Sequence, residues 1–144
     1  MDQNKIQNLD GFSQKFSIQI AWGEMDSYLH VNNAMYFRYF ESARIESFAK
    51  DHILESMSKN KIGPILAETS CKFIRPITFP DTIEVGIKSK LIDDFTFVQE
   101  YGIYSNAQKR IVALGTGKIV FFDYNIQSKT KIPATILNLF LENE

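Results

Sequence analysis

The sequence predicts an α+β fold in which a curved antiparallel sheet covers one long helix. Three observations carry this. Residues 12–22 alternate with the period of a strand; residues 34–50 hold neither Gly nor Pro and are apolar over most of the helical circumference; and four further runs follow, separated by turn residues. In the first run Phe16, Ile18, Ile20 and Trp22 fall on one side and Ser17, Gln19 and Ala21 on the other, as in a half-buried strand. Residues 23–30 end the alternation, and Asn32 or Asn33 can cap the helix that follows. On that helix Tyr36, Phe40, Ala43 and Ser47 share a face, Met35, Phe37, Tyr39 and Phe48 widen the apolar surface, and Arg38, Glu41 and Glu46 form a polar strip. Burying a large apolar side chain is worth roughly 1.5–3 kcal/mol, so a helix this aromatic must be wrapped, by a sheet that curls or by a second subunit.

A loop around Asn60, Gly63 and Pro64 is expected next, then strands over residues 65–75, 82–91, 95–104 and 110–123. Ile83, Val85, Ile87 and Leu91 share a side of one, and Phe95, Phe97, Tyr101 and Ile103 a side of the next. Pro76, Pro80-Asp81, Asp93-Asp94 and Ser105-Asn106 punctuate the runs at hairpin spacing, so an antiparallel meander is the simplest connection. A short final helix is expected from Pro133, carrying Ile136, Leu137, Phe140 and Leu141.

Composition narrows the function. With 144 residues, 44% hydrophobic and 23% charged, residues 1–144 read as one globular domain with a core large enough to need no staples. The net charge of -1 lacks the basic surplus of a protein that binds phosphate backbones, so no nucleic-acid partner is expected. One cysteine, Cys71, allows no intramolecular disulfide and points to a reducing compartment, the cytoplasm first. Residues 1–9 are polar and no apolar run reaches the length of a membrane span, so no membrane partner is expected.

Chemistry concentrates in the segment Trp22-Gly-Glu-Met-Asp-Ser-Tyr-Leu-His-Val-Asn-Asn33, between the first strand and the long helix. Asp26 precedes the helix closely enough for its carboxylate to fold back towards the first turn, whose N–H groups lack intrahelical partners and sit at the positive end of the dipole. An oxyanion would be stabilised there. Taken alone, Asp26 reads first as an Asx-turn residue, His30 as a loop fastener, and Asn32 and Asn33 as caps. Other chemistries lack their residues. There is no Gly-x-Ser-x-Gly elbow, Gly115-x-Gly117 lacks the third glycine of a nucleotide fingerprint, and His30 and His52 have no zinc spacing. Gly115 and Gly117 read instead as places of close backbone approach, and His52 as a stabiliser of the helix C-terminus.

The run Asp26-Ser-Tyr-Leu-His30-Val31-Asn32-Asn33, continued by Ala-Met-Tyr36-Phe-Arg-Tyr-Phe-Glu41-Ser-Ala-Arg44, closely resembles the loop-and-helix signature of hotdog-fold acyl-CoA thioesterases of the 4-hydroxybenzoyl-CoA thioesterase-like group. Phe73-Ile-Arg75-Pro76 with Asp81, and Gly115-Thr-Gly117-Lys-Ile-Val-Phe-Phe-Asp123, resemble the second strand and the last strand of that family, so the resemblance covers nearly the whole chain. It implies a hotdog fold: a five-stranded antiparallel sheet wrapped around the long central helix, with homodimers or homotetramers and sites at the subunit interface. The substrate it implies is an acyl-CoA or acyl carrier protein thioester. It places the catalytic carboxylate on Asp26, as nucleophile or general base, and the N–H that polarises the thioester carbonyl on Asn33. Two positions depart from the family pattern: Leu29 stands where a glycine usually precedes the His, and Pro80 where a glycine often precedes the later Asp. A glycine serving a positive φ would leave Leu29 strained, or the leucine would narrow the acyl pocket.

The expected site is therefore Asp26, Asn33 and His30 for catalysis, with Asn32, Tyr36 and Arg75 binding substrate, and with no metal or cofactor. Lys88 and Lys118 are further candidates for the CoA phosphates. Phe37, Tyr39, Phe40, Phe95 and Phe97 line an acyl tunnel or are plain core. A non-catalytic acyl or acyl-CoA binding module on the same fold is the alternative to hydrolysis. A hotdog dehydratase lacks its separate Asp and His arrangement.

Overall fold

The long helix has one broad face that must leave water, and the sheet is shaped to receive it. A computed structural model describes residues 7–142; the first six residues, part of the polar N-terminal stretch, and the side chains of Leu141 and Glu142 lie outside what is described. The elements are β1 (Gln14–Gln19), α1 (Asn33–Lys50), α2 (Ile53–Asn60), β2 (Ile62–Phe73), β3 (Thr82–Leu91), β4 (Thr96–Ser105), β5 (Arg110–Asp123), the short β6 (Ser128–Lys129) and α3 (Ala134–Glu142). The antiparallel strands run in the order β1-β3-β4-β5-β2, and β6 pairs with the end of β5. This is the curled five-stranded sheet around one helix that the sequence predicts, with a two-residue strand added. No helix among the described residues is long and apolar enough to cross a membrane.

The predicted face of α1 is the buried one. Tyr36, Tyr39, Phe40, Ala43, Ser47 and Phe48 are buried, while Arg38, Glu41 and Glu46 stay exposed. Ile83, Val85 and Ile87 of β3 and Tyr101 and Ile103 of β4 meet them from the concave side. Phe40 stacks on Tyr101 with ring centroids 4.7 Å apart and planes at 16°. A second cluster joins Phe48, Phe97, Ile119 and Phe121 to Ile53, Ile132 and Ile136, so α3 closes the far end of the core. Tyr39, Phe40 and Phe97 are core residues and line no open tunnel.

Four expectations are corrected. Trp22 does not continue the first strand. The chain leaves β1 after Gln19 and makes a 3-10 turn over Trp22–Glu24, leaving the Trp22 ring 69% exposed. The stretch before the second strand holds α2, an amphipathic helix of two turns bracketed by left-handed His52 and Lys61, with Ile53 buried beneath it. His52 therefore opens this second helix rather than closing the first, and its Nδ1 lies 3.4 Å from Glu55. Gly63 and Pro64 belong to β2, not to a loop. The strands do not form a simple meander either: β2 lies at the edge beside β5, and the 74–81 connection carries the chain under the start of α1 to place β3 beside β1. Among the five long strands, only β3, β4 and β5 follow one another in space.

The two glycines of β5 work as close-approach positions. A Cβ on Gly115 would run into the Phe40 ring and come within 2.7 Å of the Ser70 carbonyl oxygen, and one on Gly117 would meet the Tyr101 hydroxyl at 2.5 Å. Neither the stacked ring nor the neighbouring strand can withdraw without opening the core. Gly115→Ala should therefore lower the unfolding free energy by about 1–3 kcal/mol, read from urea denaturation, whereas an unchanged midpoint would mean that α1 sits less tightly on the sheet than described.

Candidate active site at the start of the long helix

Residues 22–32 form a small hairpin set on the first turn of α1. Met25 and Val31 make an antiparallel bridge, the Asp26 N–H donates to the His30 carbonyl at 2.8 Å, and the Leu29 N–H donates to the Asp26 carbonyl at 3.0 Å. The Asp26 side chain behaves as its residue type predicts, since Oδ1 accepts the Tyr28 N–H at 2.8 Å in an Asx turn. This leaves the second carboxylate oxygen without a hydrogen bond among the described residues. Leu29 takes φ 62, the left-handed conformation that a glycine would adopt freely. It is 65% exposed, so it does not narrow the cleft within this chain.

The helix start is arranged around the same point. Asn32 is the N-cap, its side chain accepting the Ala34 N–H at 3.0 Å and its own N–H donating to the Glu24 carbonyl at 3.0 Å. Asn33 is the first helical residue, whose N–H has no partner inside the helix and makes no hydrogen bond among the described residues. The opposite wall is the end of β2 and the chain beyond it. A bulge in β5 at Val112 lets that carbonyl accept the N–H groups of both Ile74 and Arg75, at 2.9 and 3.0 Å, and the Val31 N–H donates to the Ile77 carbonyl at 2.8 Å.

Between these walls lies a cleft of about 450 Å³ lined by Asp26, Tyr28, His30, Val31, Asn33, Tyr36, Phe73, Ile74, Arg75 and Pro76. Five of the six predicted site residues thus meet in one place. Asn32, the sixth, is occupied in capping. His30 closes the hairpin through its backbone, and its ring makes no hydrogen bond to Asp26 among the described residues. Tyr36 is buried and meets Phe73 edge-on at 4.9 Å. Burial raises its phenol above the ordinary value, partly offset by a backbone hydrogen bond with Ile77, so at neutral pH it is a donor and not an anion. Lys88 and Lys118 lie outside the cleft. Lys88 pairs with Glu100 at 3.3 Å and Lys118 with Glu68 at 3.8 Å, so only Arg75 of the three predicted cations borders the site.

Sequence reasoning missed three neighbours. Tyr28 and Phe73 add aromatic surface to the cleft. Glu24 holds its base, with Oε1 accepting the Ala21 N–H at 2.7 Å and the Tyr39 hydroxyl at 3.2 Å. The spacing of Glu24 from Ala21 was the available signal, a carboxylate three residues after a helix-turn start.

The family model described as the thioesterase-like superfamily matches residues 20–140. An Aquifex aeolicus protein, provisionally named an esterase, is 27% identical over 109 residues, spanning 71% of this chain and 85% of its own length. The PA2801 protein of Pseudomonas aeruginosa, provisionally described as a thioesterase, superposes with a TM-score of 0.80 at 26% identity, over 89% of this chain and 98% of its own. Slr0204 from Synechocystis, a 1,4-dihydroxy-2-naphthoyl-CoA thioesterase, has the same fold at 15% identity, with a TM-score of 0.79 over 89% of this chain and 95% of its own.

A left-handed leucine at an exposed turn is strained by about 1–2 kcal/mol, and glycine removes that strain while adding freedom to the unfolded chain. Leu29→Gly is expected to raise the unfolding free energy by about 0.5–1 kcal/mol in urea titrations. A clear loss of stability would show that the Leu29 side chain is held by contacts beyond this chain.

The sheet order, the wrapped helix and the span of the family match agree, and the chain belongs to the thioesterase-like superfamily, thioester hydrolases on the hotdog fold.

Proposed function

We propose that the protein is an acyl-CoA thioesterase whose reaction runs in the cleft at the start of α1, with Asp26 as nucleophile or general base and the Asn33 N–H as oxyanion donor. The observation that carries this is their convergence. A carboxylate with one oxygen tied into the hairpin, and the other without a hydrogen bond among the described residues, shares a cleft with the N–H of the first helical residue, which sits at the positive end of the dipole. The thioester carbonyl oxygen accepts from Asn33, and charge that develops on it faces the helix N-terminus. Asp26 either takes a proton from a water that attacks the carbonyl carbon, or attacks that carbon itself to give an anhydride that water then opens. In both routes the C–S bond breaks, the thiolate leaves, and water supplies the oxygen of the free acid.

His30 and Tyr36 border the reacting group, Tyr36 as a protonated aromatic wall. Arg75, an exposed residue at the border of the cleft, offers a guanidinium to the phosphates of CoA. The substrate class is supported by the Synechocystis relative, a CoA thioesterase of the same fold. The exposed flank of the cleft, with Tyr28 and Phe73 largely open, fits a homo-oligomer in which a second subunit completes each site.

Purified protein should release thiol from a panel of acyl-CoA thioesters, straight-chain from acetyl to palmitoyl together with benzoyl. Asp26→Asn should lower kcat by about 10²–10⁴ with the fold retained by circular dichroism. A parent enzyme that binds these thioesters without releasing thiol would favour the binding module, and an unimpaired Asp26→Asn would remove Asp26 from the mechanism.

The assay has a clean background on physical grounds. Burial pushes the Cys71 thiol up to about 12, so at pH 8 only about one molecule in 10⁴ carries the reactive thiolate. Cys71, half-buried on β2, should react with a disulfide reagent more slowly than free cysteine, and rapid stoichiometric labelling of the folded protein would contradict the upward shift of its thiol.

A further inference from the structure

Resting on the reading of Asp26 above, we propose that Glu24 and Tyr39 form a positioning latch that sets the Asp26 hairpin against the start of α1. The hairpin's internal bonds, Asp26 N–H to His30 carbonyl and Leu29 N–H to Asp26 carbonyl, fix its shape but not its direction relative to the helix. Its tip is unsupported, with Tyr28 82% exposed. The Val31 N–H ties the hairpin's second arm to the Ile77 carbonyl, and at the base one residue joins three further parts of the chain. The Glu24 backbone carbonyl accepts the N–H of the N-cap residue Asn32, while its carboxylate accepts the Ala21 N–H behind the hairpin and the Tyr39 hydroxyl on α1.

Tyr39 is a firm anchor. It lies nearly two turns into α1, is buried, and stands 6.2 Å from the ring of Tyr36 that walls the cleft. Burial, and then the charge of Glu24, raise its phenol far above the ordinary value, so it donates to the carboxylate throughout the working pH range. Glu24 itself does not line the cleft. It touches no reacting atom, and acts by holding the first strand, the hairpin base and the helix in one geometry.

Misplacing a catalytic group by about 1 Å costs on the order of 10²-fold. The test compares Glu24→Ala, Glu24→Gln, Tyr39→Phe, Asp26→Asn and the Glu24→Ala/Asp26→Asn double variant on the best thioester of the panel above. Glu24→Ala and Tyr39→Phe should lose about 10–100-fold in kcat with KM within about threefold. Glu24→Gln should recover most of the rate, because its amide oxygen still accepts from both donors. Glu24→Ala should cost nothing further in the Asp26→Asn background. Full activity of Glu24→Ala beside an inactive Asp26→Asn removes the latch alone; an active Asp26→Asn removes the reading it rests on and the latch with it. An equal loss from Glu24→Ala in both backgrounds also overturns the latch. Amide exchange by mass spectrometry supplies a readout that needs no turnover. Peptides covering residues 22–32 should exchange at least tenfold faster in Glu24→Ala and Tyr39→Phe, with β3 and β4 unchanged, and unchanged exchange in that segment would refute the proposal.

Discussion

The stacking of Phe40 on Tyr101, over a strand that carries glycine at position 115, is the contact on which the site depends. It sets how deeply α1 enters the concave face of the sheet. Aromatic side chains bury 150–250 Å² each, and a parallel-offset pair adds roughly 0.5–1.5 kcal/mol beyond that area, so few arrangements of α1 compete with this one. Once Phe40 is seated, the start of the helix lies two turns away at a fixed height above the end of β2. There Asn33 lines the cleft together with Phe73 and Arg75. The candidate site is thus held by core packing at one end and by backbone hydrogen bonds of the 74–77 connection at the other.

A buried charge is tolerated in the same layer. The Arg44 guanidinium, 7% exposed, donates to the Tyr101 hydroxyl at 3.0 Å, and that hydroxyl donates in turn to Gln99 at 2.8 Å. No carboxylate stands within ion-pair distance of Arg44 among the described residues. A buried charge without a counter-ion is costly unless its hydrogen bonds are met, and the phenol supplies one of them. Burial raises the Tyr101 phenol, with Arg44 acting the other way, so the pair stays phenol and guanidinium. Gly117 leaves room for the hydroxyl beneath the helix. The glycines of β5 therefore serve an aromatic ring at one position and a polar relay at the next.

Much of this was legible in the residues. The face of α1 was readable because a 3.6-residue period in large apolar groups has few other uses, and β3 and β4 were readable from alternation. Trp22 was misleading because alternation carries no record of where a strand stops, and the chain is turned there by backbone bonds of the 3-10 turn together with the Ala21 N–H to Glu24 carboxylate bond. The edge position of β2 could not be read, since its exposed residues 66–70 give the same local pattern beside β3 or beside β5. Leu29 was legible by contrast with a family glycine, and its φ of 62 shows that the backbone kept the conformation while losing the residue that takes it without strain.

The two readings of Asp26, turn residue and reacting carboxylate, are compatible in this geometry. An Asx bond uses one oxygen and one lone-pair direction, and in doing so removes the rotational freedom of the side chain. A carboxylate that had to find its attack angle from a free rotor would spend part of the available rate on that search. Here the turn fixes the rotor, the hairpin fixes the turn, and Glu24 with Tyr39 ties the hairpin base to the long helix. The turn that makes Asp26 look ordinary is therefore also what would prepare it for the role proposed above.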